Sequence, residues 1–534
     1  MNVAAVSATS HSDVPQAAVC RPHARHASVR PVQGQAAPKL APALYQVRHP
    51  EQSLFYRTIA GHFETWLALA SSGQFDGQGD LHTPAPYVET AFRKYLECGI
   101  FAYGFARARC DACGHDFLVA FSCKGRGVCP SCNTRRMVET AAHLSDHIFP
   151  KLPVRQWVLS LPKRLRYFLQ NDPKALNTAL RIFLRVILAS LQAHCPSATA
   201  VDRRLVQLAA CAFIHRFGSS LNTHVHFHIC VVDGVFEAVD AHDGDDGDVG
   251  SKVKFHALAH LSADTIAQVQ NEAKRRIVRA FVKRGLLDSI DGEVMLLARH
   301  GGGFSVDASV YIAADDRAGL ERLLRYCARP PFAMERLHRK GQGHLLYHCP
   351  KPQSGGKQGD LILTPCEFIA KIAALVPPPR THRHRYFGVL APNSPLRAAV
   401  TAMAPMPVMP VISPEVQTIP SDQEAQSQSN TKRSPARYLW AKLIARIYEV
   451  FPLLCLHCGG QMRLIAFVND GAEIRKILDH IGVEPIPPKI SKARGPPLWD
   501  ACDEAEPEEY FDAEPDVDVG QYGPDEDVDQ SVNW

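Results

Sequence analysis

An α+β protein built on an antiparallel sheet is what the sequence predicts. Three observations carry that reading: a strand with histidines at alternate positions, two Cys-x2-Cys pairs ahead of it, and an order of short strands and amphipathic helices around it. Between Leu221 and Gly234 the run Thr-His-Val-His-Phe-His-Ile-Cys-Val-Val alternates imidazole with apolar side chains. A strand has a side-chain period of two, so His224, His226 and His228 share one face while Val225, Phe227, Ile229 and Val231 share the other. The apolar face turns to a core and the imidazoles point together at open space. Alternate strand positions lie roughly 7 Å apart, near enough for neutral imidazoles, the commonest metal ligand, to meet on one ion. The competing reading is a half-exposed strand that happens to be rich in histidine, and three in register weigh against it.

Ahead of that strand, Cys110-x2-Cys113 and Cys129-x2-Cys132, with fifteen residues between them, have the spacing of a four-thiolate zinc site, each pair on a tight knuckle. Cys123 and His115 are further candidate ligands. Between the pairs an apolar strand leads into a glycine turn carrying Lys124 and Arg126, and Arg135 and Arg136 open a helix running to about residue 147. So short a module cannot build a core. Structural Zn2+, which supplies on the order of 10–16 kcal/mol of apparent folding free energy, would hold its basic surface rigid against DNA.

Downstream, residues 156–161 read as a strand closed by Pro162 and followed by Lys163, Arg164 and Arg166. A helix is expected over 173–193, capped by Asp172 with proline at its first position. Residues 211–217 and 223–232 form an antiparallel pair, 240–250 an acidic surface loop, 262–284 a helix, 304–312 a strand and 315–328 a helix. The expected unit is a small antiparallel sheet with helices on one face and the histidines on the other. In the last helix Leu320, Leu323, Leu324 and Cys327 form the buried stripe, while Arg322, Arg325, Tyr326 and Arg329 fall on another. Tyr326 is thus displayed among arginines, where neighbouring cations favour phenolate. Pro330 and Pro331 end the helix.

Composition bounds the rest. The 534 residues are 46% hydrophobic and 21% charged, so most of the chain is globular and divides into several units. Sixteen cysteines without a secretory signal argue for metal ligands over disulfides. The apolar stretch 176–191 is broken by Arg181 and Arg185 and reads as an amphipathic helix, so no membrane partner and a cytoplasmic location are expected. The net charge of +5 hides thirteen acidic residues and no Lys or Arg between Ala501 and Trp534, so the body before that tail is strongly basic and suits phosphate-bearing partners. The predicted organisation is a disordered basic arm (1–45), a zinc-binding DNA-recognition domain (46–150), the His-strand domain (151–335), a basic hairpin and helix extension (336–400), a Pro/Ser/Gln-rich linker (401–436), a C-terminal helix and Cys-x2-Cys segment (437–500) and an acidic tail (501–534). In the extension, Arg383 and Arg385 belong to a dense basic run read as a phosphate contact. Cys455 and Cys458 look like half of a zinc ribbon whose second pair does not follow; His457, His480 and Cys502 are candidates to complete it.

Four segments carry a family resemblance: the Thr-His-Val-His-Phe-His strand, Leu323-Leu-Arg-Tyr-Cys-Ala-Arg-Pro330, Ser122-Cys-Lys-Gly-Arg-Gly-Val-Cys-Pro-Ser-Cys132 and Pro153-Val-Arg-Gln-Trp-Val-Leu-Ser-Leu-Pro162. Together they closely resemble the rolling-circle transposases of the IS91 type, most closely their common-region (ISCR) branch, over about residues 50–500. The resemblance implies an HUH single-strand nuclease domain between the zinc module and the basic extension. It implies that Mg2+ or Mn2+ on the histidine strand orients a scissile phosphate, and that a tyrosine attacks it to leave a 5′-phosphotyrosine link and a free 3′-OH. Carried over, His226 and His228 match the His-hydrophobic-His pair, His224 is an additional candidate ligand and Tyr326 matches the nucleophile. The implied partners are single-stranded DNA at element ends and target DNA, with the oligomeric state open. The chain departs from two-tyrosine relatives in having Pro330 where the second tyrosine would stand, which leaves a single-tyrosine cycle, Tyr311 or Tyr347 to be considered. The alternative function is a zinc-dependent DNA-binding regulator with an inactive nuclease domain. A metallohydrolase of small substrates lacks the acidic ligands and general base it would need.

Overall fold

The computed structural model describes residues 48–72, 83–239, 252–298, 300–341, 343–349, 359–404 and, but for 456, 459 and 461, residues 455–494. The basic arm, the acidic loop, most of the linker, the helix expected at 438–451 and the acidic tail lie outside them.

The chain opens with two helices, α1 (Leu54–Ser71) and α2 (Pro86–Leu96), then a hairpin of β1 (Phe105–Cys110) and β2 (Asp116–Ala120), and α3 (Pro130–His143). Next come β3 (Val154–Ser160), α4 (Lys163–Asn171), α5 (Pro173–His194), β4 (Val206–Gln207), β5 (Ala209–Phe217), β6 (Thr223–Val232), β7 (Gly234–Val239) and β8 (Lys252–Ala257). They are followed by α6 (Ala263–Lys283), α7 (Ser289–Leu297), β9 (Ser305–Asp307), β10 (Tyr311–Ile312) and α8 (Arg317–Ala328). The last described elements are β11 (Leu337–Lys340), β12 (His344–Tyr347), β13 (Leu361–Leu363), α9 (Pro365–Leu375), β14 (His384–Gly388), α10 (Arg397–Ala402), β15 (Met462–Val468) and α11 (Gly471–Ile481).

The central sheet runs β10-β3-β6-β5-β14, antiparallel throughout, with β9 also paired to β3. Alternation sorts its two faces. Trp157, Leu159, Val225, Phe227 and Ile229 join the apolar stripes of α4, α5 and α6 in the largest core. Within it α5 starts where expected, Asp172 accepting from Lys174 N–H at 2.7 Å with proline at the first turn. It is long and apolar enough to cross a membrane by length and composition, but Leu180, Phe183, Ile187 and Leu191 are spent on this core.

The opposite face is also covered. Cys211, Phe213, Cys230 and Val232 pack against Ala141 of α3 and Leu320 and Leu324 of α8. The domain therefore has helices on both faces, and the expectation of helices on one face only is corrected. Its reason is α8, whose buried stripe of Leu320, Leu323, Leu324 and Cys327 needs a partner and finds it on the histidine face. The basic run expected to be a free phosphate contact becomes β14, the edge strand paired from His384↔Phe213 to Gly388↔Ala209.

Two boundaries differ from those the sequence suggests. Residues of α1 and α2 share one core with α9 and the β11-β12-β13 sheet, so the N-terminal helices and the first part of the extension, up to Val376, are one body, whereas β14 belongs to the central sheet. Beyond the linker, β15 pairs antiparallel with β1 from Phe105↔Val468 to Cys110↔Met462, completing a sheet of order β15-β1-β2. The segment expected to stand apart at 437–500 is thus joined to the N-terminal hairpin.

Candidate active site and metal centres

His226 and His228 lie on β6 as the alternation requires, but they do not face open space. Helix α8 covers them, leaving His226 7% and His228 3% exposed. The third member of the cluster is His215 on β5, which stands directly opposite His226 in the ladder and so shares its face. Ligand atoms of His215, His226 and His228 lie within 4.8 Å of one another. His224 is outside this group. Its Nε2 sits 3.2 Å from Ser160 Oγ, and the ring is half-buried 4.9 Å from that of His226.

The environment keeps His215, His224 and His226 neutral, as ligation requires. Burial, reinforced by the positive charge of Arg329, lowers the His215 pKa to about 3. Burial also holds His226 well below the usual range, and takes His224 down to about 4 with help from Arg166. Orientation is supplied from α8 and β3. His215 Nε2 lies 2.6 Å from the Cys327 carbonyl, which can only accept, so Nε2 carries the proton and Nδ1 keeps its lone pair. That Nδ1 is buried with no hydrogen-bond partner among the described residues. The Gln156 amide lies 2.9 Å from His228 Nδ1. Which end of the amide faces the ring follows the tautomer, and with Nε2 on an ion Nδ1–H would face the amide oxygen.

Tyr326 flanks the cluster. Its ring meets that of His228 edge-on at 5.6 Å between centroids, and Arg329 stacks on it with the guanidinium carbon 4.1 Å from the ring centre. Of the other arginines on α8, Arg322 is exposed while Arg325 is tied to Glu321 at 2.7 Å. The alternative tyrosines lie elsewhere. Tyr347 is buried in the core shared by α1 and α9, and Tyr311 is 48% exposed on edge strand β10 against Arg155.

A cavity of ≈ 210 Å3 opens beside His215, lined by Arg126, Arg136, Arg216, Arg329 and Arg383 among others. Arg126 reaches the Thr381 carbonyl at 2.7 Å and Arg383 reaches Asn133 at 3.0 Å, so the cysteine-rich module and β14 wall it jointly. Burial next to Arg126 and Arg136 pulls the Arg383 pKa down to about 10, a sign of concentrated positive charge. Lys124 is exposed, Arg136 donates to the Lys124 carbonyl, Arg135 pairs with Glu139, and Arg385 donates to Asn177 away from this cavity.

The cysteines expected in one site are divided between two. Cys129 and Cys132 converge with Cys98 and Cys123, whereas Cys110 and Cys113 converge with Cys455 and Cys458, each set within 4.8 Å. The physical reason is the β1–β2 hairpin, whose turn holds Cys110 and Cys113 at one end while Cys129 and Cys132 start α3 beyond the other. In the first set Sγ separations are 3.5–3.7 Å, and Gly125 N–H donates to Cys123 Sγ at 3.3 Å. His115 is not in either set. Cys98 and His215 had no local signal, the first lacking a nearby partner and the second standing alone on its strand.

Against known proteins, the family model Transposase zinc-binding domain (Zn_Tnp_IS91) matches residues 70–161, and the model Putative transposase (Y2_Tnp) matches residues 210–397. Comparison with the curated proteins and with the solved structures returns no match. The first model spans the thiol cluster of Cys98, Cys123, Cys129 and Cys132, and the second spans the three histidines and Tyr326. A zinc-binding module joined to such a domain defines a DNA transposase. The chain belongs to the IS91-type transposase family.

Proposed function

We propose that the protein nicks single-stranded DNA at element ends through Tyr326, with a divalent cation held by His215, His226 and His228. The observation that carries this reading is the convergence of three buried imidazoles beside a tyrosine stacked on arginine. Tyr326 Oη attacks the scissile phosphorus, the O3′–P bond breaks, the phenolic proton leaves to solvent and the departing 3′ oxygen takes up another. The products are a 5′-phosphotyrosine and a free 3′-OH, and reversal onto a second 3′-OH transfers the strand. A bound cation would polarise the phosphate and neutralise developing charge. An all-imidazole set suits Mn2+ better than Mg2+, which prefers oxygen ligands and retained water. Arg329 fixes the Tyr326 ring, and the arginines of the adjoining cavity take the phosphates that flank the cut. With Pro330 in place of a second tyrosine, each cycle uses one nucleophile.

The test is a denaturing gel with single-stranded DNA from the element's end. Wild-type protein should form a covalent adduct in Mn2+. Tyr326→Phe should form none while binding the same strand with nearly unchanged affinity, since affinity rests on arginines. Undiminished adduct in that variant would refute Tyr326 and direct attention to exposed Tyr311.

A further inference from the structure

We propose that residues 105–120 and 455–468 form one discontinuous zinc ribbon. A second Zn2+ on Cys110, Cys113, Cys455 and Cys458 closes it and fastens the C-terminal segment to the N-terminal module. Neither family match reaches Cys455 or Cys458.

Four observations support the site. Cys110 Sγ lies 3.5 Å from Cys458 Sγ and Cys113 Sγ lies 3.6 Å from Cys455 Sγ. A tetrahedral zinc with bonds of about 2.3 Å has sulfur–sulfur edges of roughly 3.8 Å, whereas disulfides need about 2.05 Å, so four converging thiols fit an ion and not two bridges. The two Cys-x2-Cys turns also share one backbone pattern, each first cysteine donating its N–H five residues on. Cys110 N–H reaches the His115 carbonyl at 2.9 Å and Cys455 N–H the Gly460 carbonyl at 2.7 Å. In the C-terminal turn, N–H groups of His457 and Gly460 point at Cys455 Sγ and Cys458 Sγ, both at 3.4 Å, the donors a thiolate uses. Finally, a Cβ on Gly460 would lie 2.8 Å from Ala112 Cβ and 3.2 Å from the sulfurs of Cys110 and Cys458. Only glycine lets the two turns meet.

The strands leaving these turns pair as β1 and β15, so the ribbon's sheet spans parts of the chain separated by the whole nuclease domain. Apolar support is slight. Phe105, Val468, Ile474 and Leu478 make one small core, and Met462 packs on Cys110 and Cys455 in another. Cores this small do not stand without a metal or a disulfide. The two cysteine sites differ in access: Cys113 and Cys458 are exposed, whereas only Cys123 of the other set is even partly so. The ribbon ion is therefore the one that chelators and oxidants reach first.

Metal analysis of the full chain should find two zinc ions, and Cys455→Ser/Cys458→Ser should hold one. A site-specific protease sequence inserted after Ala425 supplies the second readout. After cutting, the C-terminal piece should co-elute with the body in zinc, and should separate from it in the Cys110→Ser/Cys113→Ser background. If the serine variants fail to accumulate, Cys458→His should still bind two ions, and the cobalt-loaded full chain should show thiolate-to-metal absorption for eight sulfurs. One zinc in wild type, two in the serine pair, absorption for four sulfurs, or a piece that stays attached when Cys110 and Cys113 are gone would each overturn the proposal.

Discussion

His215, His226 and His228 stand on two adjacent strands of one sheet, whereas Cys98, Cys123, Cys129 and Cys132 come from the turn after α2, a loop and the first residues of α3. The histidines are brought together by a ladder of backbone hydrogen bonds and by α8 pressing on them. The cysteines come from loop and helix-end segments that share no ladder; they pack into the core that α1, α2 and α9 form, joined by such bonds as Cys123 N–H to Cys98 Sγ at 3.2 Å. The imidazole site should thus persist without its ion, and the thiolate site should not. Each prediction below attacks one side of that contrast.

The largest effect is expected at Cys129, which is buried. Cys129→Ser removes a thiolate from a site whose ion supplies on the order of 10–16 kcal/mol of apparent folding free energy. Residues from about 100 to 140 should become sensitive to proteolysis and the zinc content should fall. Unchanged protease resistance would show that the cluster is organised without metal.

His226→Ala/His228→Ala should abolish nicking while leaving the far-UV spectrum and zinc content intact. Because both rings are buried under α8, the double variant should lose about 2–5 kcal/mol of stability, the usual cost of emptying a packed site. A variant that cuts normally would place the ion elsewhere, and one that unfolds altogether would make the cluster a core element.

Brief chelation separates the two kinds of site within one sample. Imidazoles hold Mn2+ more weakly than four thiolates hold zinc, so a short EDTA exposure should stop cleavage first, with added Mn2+ restoring it. DNA binding and the buried zinc should survive. Cleavage that resists EDTA until zinc is lost would remove the distinction.

The same contrast explains what the sequence reveals of the fold and site. Alternation along β6 and the stripes of α5, α6 and α8 are local periodicities, and the structure has each element within a few residues of its expected place. The pairing of segments is not local. Cys110 and Cys129 each sit in a visible Cys-x2-Cys pair, yet the partners of the first lie some 340 residues on, and no spacing rule reaches that far. Burial of the histidines was equally invisible, because it depends on where α8 lands. The basic run at 380–385 reads as a phosphate contact by charge alone, but the sheet had an open edge at β5 and took His384–Gly388 as a strand.

The smallest expected effect decides between two histidines. Sequence spacing favours His224 as third ligand because it is in register with His226 and His228, whereas the sheet brings in His215 from the neighbouring strand. His224 makes a hydrogen bond to Ser160 at 3.2 Å, and losing one such bond costs about 1 kcal/mol, roughly fivefold in rate at most. His215 carries a buried Nδ1 with no hydrogen-bond partner among the described residues and is tied through Nε2 to the carbonyl beside Tyr326. His215→Ala should therefore raise the Mn2+ concentration needed for half-maximal single-turnover cleavage by at least about tenfold, the loss that even a supporting residue around a metal produces. His224→Ala should leave that concentration within about twofold, because its ring nitrogen meets Ser160 Oγ, which is not a member of the cluster. Titrating Mn2+ against cleavage rate in both variants measures the difference directly, and equal shifts, or a larger one for His224→Ala, would return the third ligand to β6.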